Sequence, residues 1–290
     1  MEDVVVLDQV SKTYRDFKLD RVSFTIKKGY IHGFIGRNGA GKTTTIKLMM
    51  NLIHRDEGSI RIFGLDNREH ERKIKQRLGF VYADNHFYDD LTGEQMKRVI
   101  ARFYPDWDEK AYNRYLKMFD LPANKKIKHL SRGMQMKYSI ALALSHNADL
   151  IIMDEPTSGL DPVVRQEILE LLSEVIQEGE KTVFFSTHIT SDLEQIADFI
   201  TFIHDGRIQF SLTKDEVLER YTMIKGGTDL LDQDNRKLFI GLRETPYGFE
   251  GLTTEPKLVY QLFQDQVLYE KPSLEQIMLY TVKSDKNSTR

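Results

Sequence analysis

No cysteine occurs in the 290 residues, and that absence removes two classes of explanation, disulfide staples and thiolate metal sites. It fits a reducing compartment. Charge of one sign is missing too: 41 Lys and Arg stand against 44 Asp and Glu, a formal charge of −3, so no global attraction to nucleic acid is expected. The basic clusters Arg68 to Arg77 and Lys125 to Lys128 read as solvated faces rather than a polyanion-binding tract. No uninterrupted apolar run approaches the ~18 residues of a membrane span. Met1-Glu2-Asp3 lacks the basic-then-apolar pattern of an export signal, so the expectation is a cytoplasmic chain that reaches a membrane only through a partner. The length suits one large domain or two modest ones.

Glycine is clustered where it carries chemistry. Gly36-Arg37-Asn38-Gly39-Ala40-Gly41-Lys42-Thr43-Thr44 has the spacing of a phosphate loop, flanked by an apolar strand at Tyr30 to Ile35 and a helix opening at Thr45 to Met50. Phosphate would sit on free N–H groups at the positive end of a helix. Lys42 can reach the outer phosphates and the Thr43 hydroxyl can ligate Mg²⁺. A nucleoside triphosphate is the expected ligand, held by Arg37, Asn38, Gly39, Ala40, Gly41, Lys42, Thr43 and Thr44.

Leu150-Ile151-Ile152-Met153-Asp154-Glu155-Pro156 is the second chemical feature. Adjacent strand residues face opposite ways, so the two carboxylates should not share one job. Asp154 suits the metal region. If the strand ends there, Glu155 begins the turn and can aim at the water attacking the terminal phosphate.

In this order the motifs resemble those of ABC-type ATPases, the nucleotide-binding subunits of membrane transporters, over nearly all of residues 2–210. Leu130-Ser131-Arg132-Gly133-Met134 resembles the family signature, Ser158-Gly159-Leu160-Asp161 the loop after the catalytic glutamate, and His188 stands where the switch histidine belongs. The resemblance implies two subunits sandwiching two ATP molecules, with Ser131, Gly133 and Met134 facing the nucleotide held by the opposite Lys42. It further implies a catalytic set of Glu155, His188 and Lys42, Mg²⁺ on Thr43 and Asp154, a dimer contact at Asp161, and adenine stacked on Tyr14. The partners implied are a second ATPase subunit, identical or homologous, and an integral membrane permease, with no direct nucleic acid. Plainer readings stand beside these: Tyr14 as a strand-edge aromatic, His188 as a strand-end cap, Ser131 as a helix cap.

Three positions depart from the pattern. Ala83 occupies the place of the usual glutamine and cannot ligate Mg²⁺; Asp84 can replace that contact, or water can fill the space. Arg132 replaces a signature glycine, reaching either phosphate, ribose or another surface. Met134 replaces the signature glutamine. Phe103 to Asp108 and Lys125 to Met134 look more narrowly like the Gram-positive branch encoded with separate permeases, which includes exporters of amphipathic peptides or antimicrobial compounds. Trp107, with Phe103 and Tyr104, either packs the helical insertion or meets a permease.

The expected architecture is α/β: a P-loop ATPase core with a mostly parallel sheet and antiparallel N-terminal strands, a helical insertion at about 85–147, and a small α+β appendage. The nucleotide-binding domain is placed at 1–220 and the appendage at 221–290. Beyond residue 211 the sequence changes character: Thr213 to Glu216 reads as a capping box, Arg236 to Leu242 and Pro256 to Phe263 as strand-like runs, and Pro272 to Gln276 as the start of a last helix, with residues 283–290 loose. Two other functions remain in view, a soluble ABC-type ATPase serving nucleic acid or ribosomes, and an ATP-binding module with little hydrolysis.

Overall fold

The computed structural model describes residues 1–82, 87–177 and 181–287. The chain divides into two compact units, Met1–Ser211 and Leu212–Arg290, a boundary earlier than the expected 220/221. The reason is local. Thr213 caps a new helix through a full capping box with Glu216, and that helix belongs to the second unit.

The first unit opens with β1 (Asp3–Thr13) and β2 (Lys18–Lys27), paired antiparallel, followed by β3 (Ile31–Ile35) and α1 (Lys42–Met49). Next come β4 (Glu57–Ile62), β5 (Leu65–Asp66), α2 (Glu71–Gln76) and β6 (Leu78–Val81). The helical stretch holds α3 (Gly93–Ala101), α4 (Glu109–Met118) and α5 (Arg132–Leu144). Strand and helix then alternate: β7 (Leu150–Asp154), α6 (Pro162–Gln177), β8 (Thr182–Thr187), α7 (Thr190–Ile196), β9 (Phe199–His204) and β10 (Arg207–Thr213).

Two sheets result. One has the order β2-β1-β4-β5 with antiparallel pairs; the other has the order β10-β9-β3-β8-β7-β6, parallel from β9 through β6. Strands β3, β7 and β8 are buried along their whole length, which explains why they read as continuous apolar runs rather than alternating ones. Phe24 of the antiparallel sheet stacks on Phe34 at 5.5 Å and Phe184 at 5.9 Å, so one aromatic trio fastens the two sheets directly beneath the loop that leaves β3.

The insertion is packed by its own aromatics. Tyr138 of α5 is buried and donates to the Gly93 carbonyl at 2.6 Å, Tyr104 stacks on His146 at 3.7 Å, and Trp107 leans on Tyr112 and donates to Glu109. Of the aromatic cluster read from sequence, Phe103 alone remains largely exposed.

The second unit contains α8 (Lys214–Arg220), β11 (Thr222–Gly226), β12 (Gly241–Thr245), β13 (Gly248–Thr253), α9 (Pro256–Phe263), β14 (Leu268–Glu270) and α10 (Leu274–Asn287). Its sheet runs β12-β13-β11-β14, antiparallel throughout, over a core of Ile224, Phe239, Phe249, Val259, Phe263 and Val267. Three expectations are corrected here. Pro256 to Phe263 is a helix, because Pro256 sits in its first turn and Val259 and Phe263, four apart, are its buried face; exposed Leu258, Tyr260 and Leu262 mimicked a strand alternation. Of Arg236 to Leu242 only Gly241 and Leu242 enter a strand, and the run begins in a short 3₁₀ turn at Asn235–Leu238. Residues 283–287, expected to be loose, continue the last helix.

Candidate functional site

The glycine-rich loop lies between the buried end of β3 and the start of α1. Its turn is closed by Ala40 N donating to Arg37 O at 3.1 Å and tied to the β9–β10 turn by Gly206 N donating to Ala40 O at 3.0 Å. Gly41 precedes α1 with φ 112°, and a Cβ there would approach Leu19 and Phe17 to 3.0 Å, so both torsion and space demand glycine. No side chain caps α1, which leaves the first-turn N–H groups of Lys42, Thr43 and Thr44 facing outward for an anion. Arg37, Asn38 and Gly39 are exposed around this opening, while Ala40 and Gly41 are buried under it.

Lys42 is buried, and its ammonium donates to the Gly36 carbonyl at 2.7 Å and the Arg37 carbonyl at 3.3 Å. Its charge is met by Glu155 Oε1 at 3.0 Å. The other oxygen of that carboxylate lies 2.7 Å from His188 Nδ1, so a single group joins the phosphate-loop lysine to the histidine after β8. Strand β7 ends at Asp154, and Glu155 turns away with φ 51°, a left-handed conformation uncommon outside glycine. Ser186 holds it there. The Glu155 N–H donates to both the Ser186 carbonyl and hydroxyl at 3.1 Å, and the same hydroxyl donates to Asp154 Oδ1 at 2.5 Å.

The donor set around this point suits a hard cation: the Thr43 hydroxyl, exposed in the first turn of α1, and the Asp154 carboxylate supply oxygen only. Ala83 and Asp84 lie outside the described residues.

The signature residues gather elsewhere, against α6. Ser131 caps α5 by accepting from Met134 N at 3.2 Å; Ser131 and Arg132 are exposed, and Gly133 and Met134 half-buried. A side chain at Gly133 would run into Val164 of α6. Arg132, left open between phosphate and surface, lies against Gly159: a Cβ there would come within 2.6 Å of its guanidinium, and φ 69° excludes one on torsional grounds as well. Asp161 Oδ1 accepts from Val163 N and Val164 N, each at 3.1 Å, starting α6. Tyr14 directly follows β1, with its ring half-exposed and Lys12 Nζ 5.8 Å from its centre.

Sequence reasoning missed several supports. Phe17 underlies Gly41, Ser186 holds the Glu155 N–H, and Asp192 joins Thr157 to Arg165. Ser186 carried a readable signal, a hydroxyl inside an apolar strand that has to find a buried partner. The others are recognisable only by contact.

Residues 19–158 match the family described as ABC transporter. The chain is 33% identical over 227 residues to the ABC transporter ATP-binding protein YtrB of Bacillus subtilis (strain 168), covering 78% of this chain and 77% of that protein. It is 34% identical over 223 residues to the bacitracin transport ATP-binding protein BcrA of Bacillus licheniformis, with coverage of 76% and 73%. Among solved structures, the ATP-binding subunit of an ABC transporter superposes with TM-score 0.66 at 28% identity over 74% of this chain and 91% of that one. The ATP-binding cassette MJ0796, as a post-hydrolysis dimer bound to ADP and Pi, superposes with TM-score 0.64 at 27% identity over 72% and 98%. The chain belongs to the family of ABC transporter ATP-binding proteins, and its enzymatic class is the ABC-type ATPase.

Proposed function

We propose that two copies of this chain, or this chain and a homologous subunit, close around Mg-ATP, hydrolyse it and drive a separate integral membrane permease in the direction of export. The observation that carries the hydrolytic part is the bonded series Lys42, Glu155 and His188 at the mouth of the phosphate loop. Lys42 neutralises charge on the outer phosphates, which the loop amides and Tyr14 hold with the rest of the nucleotide. Glu155 orients the attacking water and takes up its proton, while His188 fixes the carboxylate and meets the terminal phosphate. Thr43 and Asp154 would hold Mg²⁺, which when bound offsets negative charge on the phosphates. In the closed pair, Ser131, Gly133 and Met134 of one subunit cover the nucleotide of the other, and Asp161 lines the contact.

Transport is supported by the names of YtrB and BcrA, the latter a bacitracin transport protein, and export by the resemblance to the Gram-positive branch. No described helix is long and apolar enough to cross a membrane. In the proposed reading the permease is a separate chain and the ATPase sits at the inner membrane face. Mg²⁺-dependent ATP turnover, with particle mass recorded in the same nucleotide conditions, tests the reading. The expected result is turnover in the wild type, and in Glu155→Gln a loss of about 100-fold or more with a doubled mass held by ATP. A variant that binds ATP yet stays at the subunit mass would overturn the sandwich.

A further inference from the structure

Asp192 is fully buried on α7, and both of its oxygens are used. Oδ2 accepts from the Thr157 hydroxyl at 2.6 Å and Oδ1 from Arg165 Nε at 2.5 Å, while Arg165 Nη2 donates to the neighbouring Ser191 hydroxyl at 2.7 Å. Each partner comes from a different functional segment. Thr157, itself 1% exposed, follows the turn that carries Glu155. Arg165 stands one helical turn after Asp161, and its N–H donates to the Asp161 carbonyl at 3.0 Å. Asp192 itself lies four residues past His188, in the first turn of α7, and next to it Leu193 fills the space over Gly33 in β3, the strand that feeds the phosphate loop.

A buried carboxylate holds its partners tightly, because losing either leaves a charge or a hydroxyl without compensation. Its geometry is therefore narrow. Thr157 lies two residues beyond Glu155 and Asp192 four beyond His188, so the Thr157–Asp192 bond is a second tie between those two segments beside the 2.7 Å contact of Glu155 with His188. A shift of the Asp161 segment moves Arg165, and Arg165 cannot move without Asp192.

We propose that Asp192, with Thr157 and Arg165, is the positioning hub of the hydrolytic site: it sets His188 against Glu155 and ties that pair to the segment carrying Asp161. The inference rests on the reading of Glu155 and His188 as the hydrolytic pair.

The test uses Thr157, whose contribution is a single hydroxyl. In the full chain, Thr157→Val keeps the volume and removes the donor, and Thr157→Ser keeps the donor. Thr157→Val is expected to lower kcat about tenfold with KM for ATP changed less than about threefold, and Thr157→Ser to recover at least about half of the turnover. Asp192→Asn should lower kcat similarly, and combining it with Thr157→Val should add little, as in a shared network. Wild-type kcat in Thr157→Val overturns the proposal, as does an equal loss in Val and Ser variants, since only packing would then be at stake. Should Asp192→Asn fail to fold, the Thr157 pair still decides. Glu155→Gln is assayed alongside: full turnover in that variant sinks the underlying site assignment, whereas its loss combined with unaffected Thr157→Val sinks the hub alone.

Discussion

Lys42 is committed to two carbonyls and one carboxylate before any phosphate is considered, and those contacts compete with nucleotide for the same three N–H donors. The Glu155 carboxylate is the strongest of these competitors because it carries the opposite charge. Replacing it with glutamine keeps the shape and removes the charge, so ATP affinity should rise even as turnover falls. A charged hydrogen bond contributes roughly 1.5–3 kcal/mol, so Kd for ATP should drop about tenfold or more in Glu155→Gln. Equilibrium titration with a fluorescent ATP analogue measures it. An unchanged or weaker Kd would show that the Lys42–Glu155 pair does not gate nucleotide entry. Glu155 tolerates its left-handed backbone because the Ser186 hydroxyl and carbonyl hold its N–H, which places the control of the proposed catalytic carboxylate on a neighbouring strand.

Helices α5 and α6 meet at their N-terminal ends. Their starts are zipped by Arg132 on Gly159 and by Gly133 on Val164, and one turn further by the Lys137–Glu167 ion pair at 2.6 Å. The signature helix and the segment led by Asp161 are thereby a single piece at their N-terminal ends, although they come from opposite sides of β7 in sequence. The replacement of a signature glycine by Arg132 contributes a contact within this piece. Ser131 has two uses: its hydroxyl caps α5, and in the proposed sandwich it faces a partner's phosphate. Ser131→Ala should therefore cost about 1 kcal/mol of stability from the lost cap, read as a small fall in denaturation midpoint. It should also shorten the lifetime of the ATP-held dimer formed in the Glu155→Gln background. A stability change without any change in dimer lifetime would leave Ser131 as a cap only.

At the scale of the molecule, pH acts through two histidines distant from the chemistry. His32 is stacked on Phe199 at 4.6 Å and accepts from Lys27 N, and His146 is stacked on Tyr104; burial pushes each imidazole down to about 4. The unfolded chain takes up these protons near pH 6.5, the folded chain only near pH 4. The unfolded state therefore binds more protons between those values, and stability must fall as pH falls through that window. Each histidine contributes about 3 kcal/mol over the full range. The denaturation midpoint should be flat above about pH 7 and decline steeply toward pH 4.5, with the slope reduced in a His146→Gln variant. A midpoint independent of pH between 7 and 4.5 would contradict the neutral burial of both rings. The second unit has its own sheet and aromatic core.

Some of this was determined by the sequence itself. A phosphate loop is a local object: the glycines, Lys42 and the apolar strand before them are consecutive, and their geometry follows from backbone sterics and the helix that starts there. The end of β7 at Asp154, the cap at Ser131 and the capping box at Thr213 are local in the same sense, and each is found where its residues indicated. Pro256 to Phe263 could be misread because apolar residues on both faces satisfy two periodicities at once, and only the neighbours that bury Val259 and Phe263 select the helix. The assembly of Lys42, Glu155 and His188 on one carboxylate belongs to the tertiary structure, since these residues are joined only when β3, β7 and β8 lie side by side. The same holds for Asp192 with Thr157 and Arg165, and for Arg132 on Gly159. Nothing in the spacing of such residues along the chain encodes contact; the parallel sheet does, because its strands deliver their C-terminal ends to one edge of the molecule.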